Sequence, residues 1–174
     1  MNIAFNRAQQ IPGAGLALAL VLAGLAAAPL SVLAQAPTQI KMHCLANGNS
    51  PPEALGDRPG HSISVSELIC RVEGGPLDSG VMTGTQVYEW DGVKGVGKAG
   101  FGVVRSPGGK IVYVNTEMTN TLTVTDGKVT GFVATGRGYY PVATGTAQAF
   151  VGKTYSYVTK PTGAGQFVIE SAID

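Results

Sequence analysis

Leu122-Thr123-Val124-Thr125-Asp126-Gly127-Lys128-Val129-Thr130-Gly131 carries the clearest local signal in the chain. Asp-Gly suits a two-residue type I′ turn, in which both central residues take positive φ. Val and Thr alternate on either side of it, as a strand with one apolar face requires. Such a turn fixes the register. Thr125 faces Lys128, Val124 faces Val129, Thr123 faces Thr130 and Leu122 faces Gly131. Leu122, Val124 and Val129 then share one face, and the threonines share the other.

Outward from this hairpin the same pattern repeats. After residue 36 no apolar period of 3.6 residues is sustained, and short runs of Val, Thr, Tyr and Ile alternate with Gly, Asp and Pro. The expected strands are 38–44, 61–73, 80–90, 95–105, 110–118, 120–125, 128–137, 144–151, 153–159 and 165–173. Pro107-Gly108-Gly109 and the stretch from Pro161 to Gly165 punctuate them as turns. Gly97, Gly100, Gly102, Gly131 and Gly136 fall inside strands, which a tightly coiled, closing sheet tolerates. The reading is all-β: a small closed antiparallel β-barrel of about eight strands over 35–174 as a single domain, with a sandwich as the alternative. An immunoglobulin-type sandwich fits less well, because Trp90 follows both cysteines instead of lying between them.

Composition narrows the function classes. The 174 residues hold 12 Lys+Arg against 11 Asp+Glu, so no cationic excess exists for a nucleic-acid partner. Residues 1–34 read as a signal peptide, with Arg7 near its start and a largely apolar run from Ala14 to Leu33. Cleavage is expected after Ala34, with Ala36 as the other position; an uncleaved anchor is the competing reading. The protein is therefore expected to be periplasmic or secreted, without stable membrane insertion after cleavage. Cys44 and Cys70, the only cysteines, are expected to form a disulfide in that compartment. A metal pair with His43 and a reactive thiol are the alternatives.

Familiar catalytic signatures are absent: no GxSxG, HExxH, CxxC or phosphate loop occurs. No cofactor and no metal are expected, although His43, His61, Glu53 and Asp57 flank the cysteine-closed loop with a mixed donor set. Glu67 is the weak catalytic candidate. Alternation places it with Ile63, Val65 and Ile69, while Leu68, Cys70 and Val72 occupy the other face. Either a bulge at Ser66-Glu67 shifts the phase, or an inward carboxylate sits in an apolar interior with a raised pKa. Tyr139 and Tyr140, read with Pro141 as a loop, are candidates for a cavity mouth or partner surface. Trp90 is expected to plug a barrel end.

Leu55-Gly56-Asp57-Arg58-Pro59-Gly60-His61-Ser62 and Ala143-Thr144-Gly145-Thr146-Ala147-Gln148-Ala149-Phe150-Val151-Gly152-Lys153 resemble stretches of the allene oxide cyclase and dirigent barrels. That resemblance, over 54–160, implies an eight-stranded antiparallel barrel with an apolar cavity. No position here matches the cyclase's catalytic carboxylate and asparagine, so no catalytic residue carries over. The chain also resembles a group of exported bacterial proteins, which implies an address and no chemistry. Three functions are thus expected in order: a non-catalytic module binding a small apolar ligand, an isomerase or cyclase using Glu67 in the cavity, and a protein-binding module such as a cell-wall hydrolase inhibitor.

Overall fold

A computed structural model describes residues 38–49 and 52–174; the expected leader and both cleavage positions lie outside them. The strands are β1 (Thr38–Asn49), β2 (Glu53–Ala54), β3 (His61–Glu73), β4 (Val81–Asp91), β5 (Lys94–Ser106), β6 (Gly109–Thr125), β7 (Lys128–Ala143), β8 (Thr154–Gly163) and β9 (Gln166–Ile173). From β3 to β9 each strand pairs antiparallel with the next, and β1 pairs with both β9 and β3. Among the described residues eight strands therefore close into a barrel, and the two-residue β2 is added beside β3. Closure removes the sheet edges that would otherwise be left unpaired.

The deciding hairpin is present, joining β6 to β7. Asp126 has φ 50° and Gly127 φ 72°, as a type I′ turn demands. Thr125 pairs with Lys128 and Val124 with Val129 as expected, but the register then shifts, so that Thr123 meets Gly131 and Leu122 meets Phe132. Thr130 is the extra residue, and its hydroxyl lies 3.2 Å from that of Thr125. Val124 and Val129 are exposed at the hairpin tip, and only Leu122 packs against the core.

Three other expectations are corrected. Segments 110–118 and 120–125 form the single strand β6. The expected strand 144–151 is a 3-10 helix over Gly145–Phe150. Gly145 at φ 63° breaks the extended chain, and the i, i+3 spacing puts Ala147 and Phe150 on one buried side. Together with Leu77 of a second 3-10 turn, Gly75–Leu77, these residues belong to the buried core at that end. Tyr139-Tyr140-Pro141 lies within β7 instead of in a loop.

Large inward side chains lie flat on glycines. Tyr113 covers the cross-strand pair Gly84–Gly102, Met118 covers Gly97 and Gly100, and Tyr155 and Tyr157 cover Gly138 and Gly136. A strand-interior glycine normally weakens a sheet. Here the missing Cβ makes room for a ring, so a narrow barrel holds aromatic residues without bulging.

Cys44 and Cys70 face each other across β1 and β3 and are joined by a disulfide with S–S 2.02 Å. Both are buried in the core. The bond fastens the first barrel strand to the seam it closes, and it points to folding in an oxidising compartment outside the cytoplasm. Among the described residues no helix is long and apolar enough to cross a membrane.

Candidate functional site

The strand alternation that builds the barrel also builds its lumen. In β3 the even-numbered side chains from Ser64 to Val72 turn inward, and in β4 Met82, Tyr88 and Trp90 do so. Large residues fill the half of the barrel nearest the two 3-10 helices. Smaller and polar ones at Ser64, Ser66, Ala134 and Thr159 leave space in the other half. The result is a cavity of about 370 Å³ beside the ends of β1, β6, β8 and β9, within the size range typical of small-molecule sites.

Its walls are aromatic and aliphatic. Tyr88 and Trp90 lie 5.6 Å apart, and Phe132 meets Phe167 edge-on at 5.9 Å. Leu68, Leu122 and Ile169 complete the apolar surface. Deeper in, a smaller space of about 50 Å³ lies among Met42, Met82, Val104 and Tyr113, and Gln86, Tyr157 and Ile169 border both spaces.

Polar groups in this interior are neutral amides and hydroxyls. Trp90 Nε1 donates to Ser64 Oγ at 2.8 Å, and Tyr155 Oη donates to Asn115 Oδ1 at 2.6 Å. Tyr155 stacks on Tyr140 at 4.7 Å, and Tyr140 stacks on Phe150 at 6.0 Å. Asn120 Oδ1, Tyr113 Oη and Tyr157 Oη are buried with no partner in hydrogen-bonding geometry. Burial pushes the Tyr88 phenol up to about 12 and the Tyr113, Tyr140, Tyr155 and Tyr157 phenols up as well. All of them are protonated at neutral pH.

The sequence candidates divide. Tyr140 points inward and borders the deeper space, whereas Tyr139 points outward and is 37% exposed. Cys44 and Cys70 form the expected bond. Glu67 faces outward in β3 and is exposed, and it reaches the cavity only at the rim. β3 runs against β4 without a break, so no bulge forms at Ser66-Glu67; the irregularity lies opposite, at Asn47 of β1. Ile63, Val65 and Ile69 therefore form an outer apolar row, and no phase change is needed.

The four mixed metal donors do not converge. His43 Nε2 pairs with Glu73 Oε2 at 2.9 Å, and Glu53 lies in β2 opposite Ile63. Only Asp57 and His61 meet. Among the described residues no group of three or more His, Cys, Asp or Glu is placed to hold a metal ion.

His61 belongs instead to a surface clasp. Its Nδ1 pairs with Asp57 Oδ1 and its Nε2 with Glu89 Oε1 at 3.0 Å, while Lys98 Nζ sits 2.6 Å from Glu89 Oε2. The clasp fastens the loop before β3 onto β4 and β5. Hydrogen bonds to Asp57 and then Glu89 raise the His61 pKa above its ordinary 6.5. Bonding to His61 lowers Asp57, and bonding to Lys98 and then His61 lowers Glu89. A raised histidine stabilises fully below pH 6.5 and loses that contribution as pH rises through its folded value. The lowered carboxylates contribute above their ordinary 3.8 and 4.5 and lose that as pH falls through their folded values. The clasp is thus strongest between about pH 4.5 and 6.5. Melting temperatures measured from pH 4 to 9 should fall above pH 6.5 in the wild type, and the fall should shrink in His61→Gln. Equal slopes in the two proteins would show that the histidine has no such role.

Sequence reading missed the lining residues Gln86 and Asn120, and it expected Trp90 as an end plug where Trp90 lines the cavity. Inward parity was the available signal, but both faces of these strands carry apolar residues, so parity alone did not say which face was inside. The fold and its interior define a closed antiparallel β-barrel with an apolar lumen cavity. No protein-family model matches the chain, and a search of curated proteins finds no match to it.

Proposed function

We propose that this chain is an exported, non-catalytic barrel that holds a small, largely apolar ligand in its lumen. The observation that supports the reading is the cavity of about 370 Å³, walled by Tyr88, Trp90, Phe132 and Phe167. A barrel needs no such space to be stable, since unfilled core volume is destabilising. Glu67, the carboxylate that a cyclase or isomerase reading would use, faces outward and reaches the cavity only at its rim, which favours binding over catalysis.

Trp90 is the only tryptophan in the chain and lines the cavity, so its fluorescence reports occupancy directly. Titration with N-phenyl-1-naphthylamine, an uncharged fluorescent probe, should quench Trp90 by energy transfer and saturate at one probe per chain. Ala134→Phe, which fills the cavity from β7, should weaken this at least tenfold; Leu122→Arg, at the cavity's β6 wall, should do the same. Thermal melts establish that each variant is folded. Unsaturable quenching, or wild-type affinity in both folded variants, would rule out the lumen as the binding site.

A second reading, docking of a protein partner, is favoured by the outer face. Phe101 is 54% exposed and pairs with Val114, which in turn pairs with Tyr139. Loss of a partner on Phe101→Ser with probe binding intact would separate the two functions.

A further inference from the structure

We infer that the lumen selects an uncharged, ring-bearing molecule that presents a hydrogen-bond donor. The inference rests on the cavity reading and adds the chemistry of the occupant.

Charge is excluded by the lining. Among the described residues that border either space, Glu67 is the only Asp, Glu, Lys, Arg or His, and it lies exposed at the rim. A carboxylate or ammonium moved inside would lose its hydration and meet no counter-ion, a cost of several kcal/mol in a low-dielectric interior. The rim carboxylate adds repulsion against an entering anion. The buried phenols supply no countercharge, because burial holds them protonated and neutral.

Ring character follows from the walls. Trp90, Tyr88, Phe132 and Phe167 come from β4, β7 and β9, so their rings converge on the space from different parts of the barrel. Flat ligands gain most from such walls, since offset and edge-on ring contacts add to plain area burial.

The donor follows from an unmet acceptor. Asn120 is on β6, opposite Gly95 and Ala134, and it borders the cavity with its Oδ1 buried and unpartnered. Buried polar atoms are rarely left this way, and each one costs stability until something bonds to it. A ligand hydroxyl or N–H meets that need once the Asn120 amide turns its oxygen into the cavity, whereas an ether or a hydrocarbon leaves it unmet.

Calorimetric titration of the full mature chain with three probes of one shape tests this. The probes are 2-naphthol, 2-methoxynaphthalene and 2-naphthoate, at a pH where the naphthol is neutral and the naphthoate charged. We expect 2-naphthol to bind at least tenfold more tightly than 2-methoxynaphthalene and at least a hundredfold more tightly than 2-naphthoate. Asn120→Leu should bring 2-naphthol down to the level of the methyl ether and leave the ether's affinity unchanged. If all three bind alike, or the naphthoate binds best, the cavity stands and the assigned ligand class is wrong. If Asn120→Leu folds and keeps the tenfold preference, Asn120 is not the acceptor and the inference fails. If none of the three binds, both the cavity reading and this inference fall.

Discussion

Cleaving the Cys44–Cys70 bond lowers the unfolding free energy by about 3 kcal/mol. The bond closes a loop of 26 residues in sequence, and the chain-entropy model gives a loss of that order for such a loop. Its position adds to the effect. β1 is held by β9 on one side and β3 on the other, and the disulfide is the only covalent tie across that closing pair among the described residues. Denaturant midpoints of the oxidised protein and of Cys44→Ala/Cys70→Ala should therefore differ widely at similar m-values. Matching midpoints would show that the strand ladders alone hold the seam. Because both sulfurs are buried, a mild reductant should act on the native protein only as fast as the seam opens.

Gly102→Ala is the second large effect, again about 3 kcal/mol, at the upper end of overpacking costs. A Cβ there would overlap the Thr83 carbonyl oxygen and lie 2.5 Å from Tyr113 Oη and 2.7 Å from Gly84 Cα. Two of these three are backbone atoms, so a rotamer change does not relieve the clash. Gly131→Ala is the control. Its Cβ would be 3.9 Å from both Pro161 and Thr123, and its stability should be unchanged or raised by up to about 1 kcal/mol. Equal melting temperatures for the two variants would remove close ring approach as the reason for Gly102.

These two glycines mark where sequence reading stopped. Both sit inside β-branched runs, and nothing local distinguishes them. What separates them is non-local: the Thr83 carbonyl and Gly84 of β4 and Tyr113 of β6 close on Gly102, whereas only Pro161 and Thr123 come near Gly131. Local features were read well: the Asp126-Gly127 turn, the bounds of β3 and the disulfide all appear as expected. Features set by the whole barrel were not. Ser64 and Ser66 face inward while Ile63, Val65 and Ile69 face outward, because the lumen needs small groups beside Trp90 and Tyr88. Alternation grouped Glu67 correctly with Ile63, Val65 and Ile69, but apolar content alone did not say which face was inward. His61 was read only within a mixed set of metal donors, because its partners, Asp57 and Glu89, are brought to it by a loop and a neighbouring strand. The open lumen was expected only in outline, and Asn120 gave no sign in the sequence that its oxygen would be stranded.

The placement of β1 between β3 and β9 has a kinetic side. During N-to-C synthesis the first barrel strand waits for the last, since β9 supplies half of its ladder. Among the described residues that pairing has the largest sequence separation, and non-local contacts of this kind are slow to form. Until then β1 presents one unpaired edge, which is where a half-finished sheet captures foreign strands. Oxidation of Cys44 with Cys70 requires only β1 and β3, both available early. The bond thus parks the opening strand in register while the other barrel strands assemble, and a chain that oxidises late is one that spends its folding time exposed to aggregation.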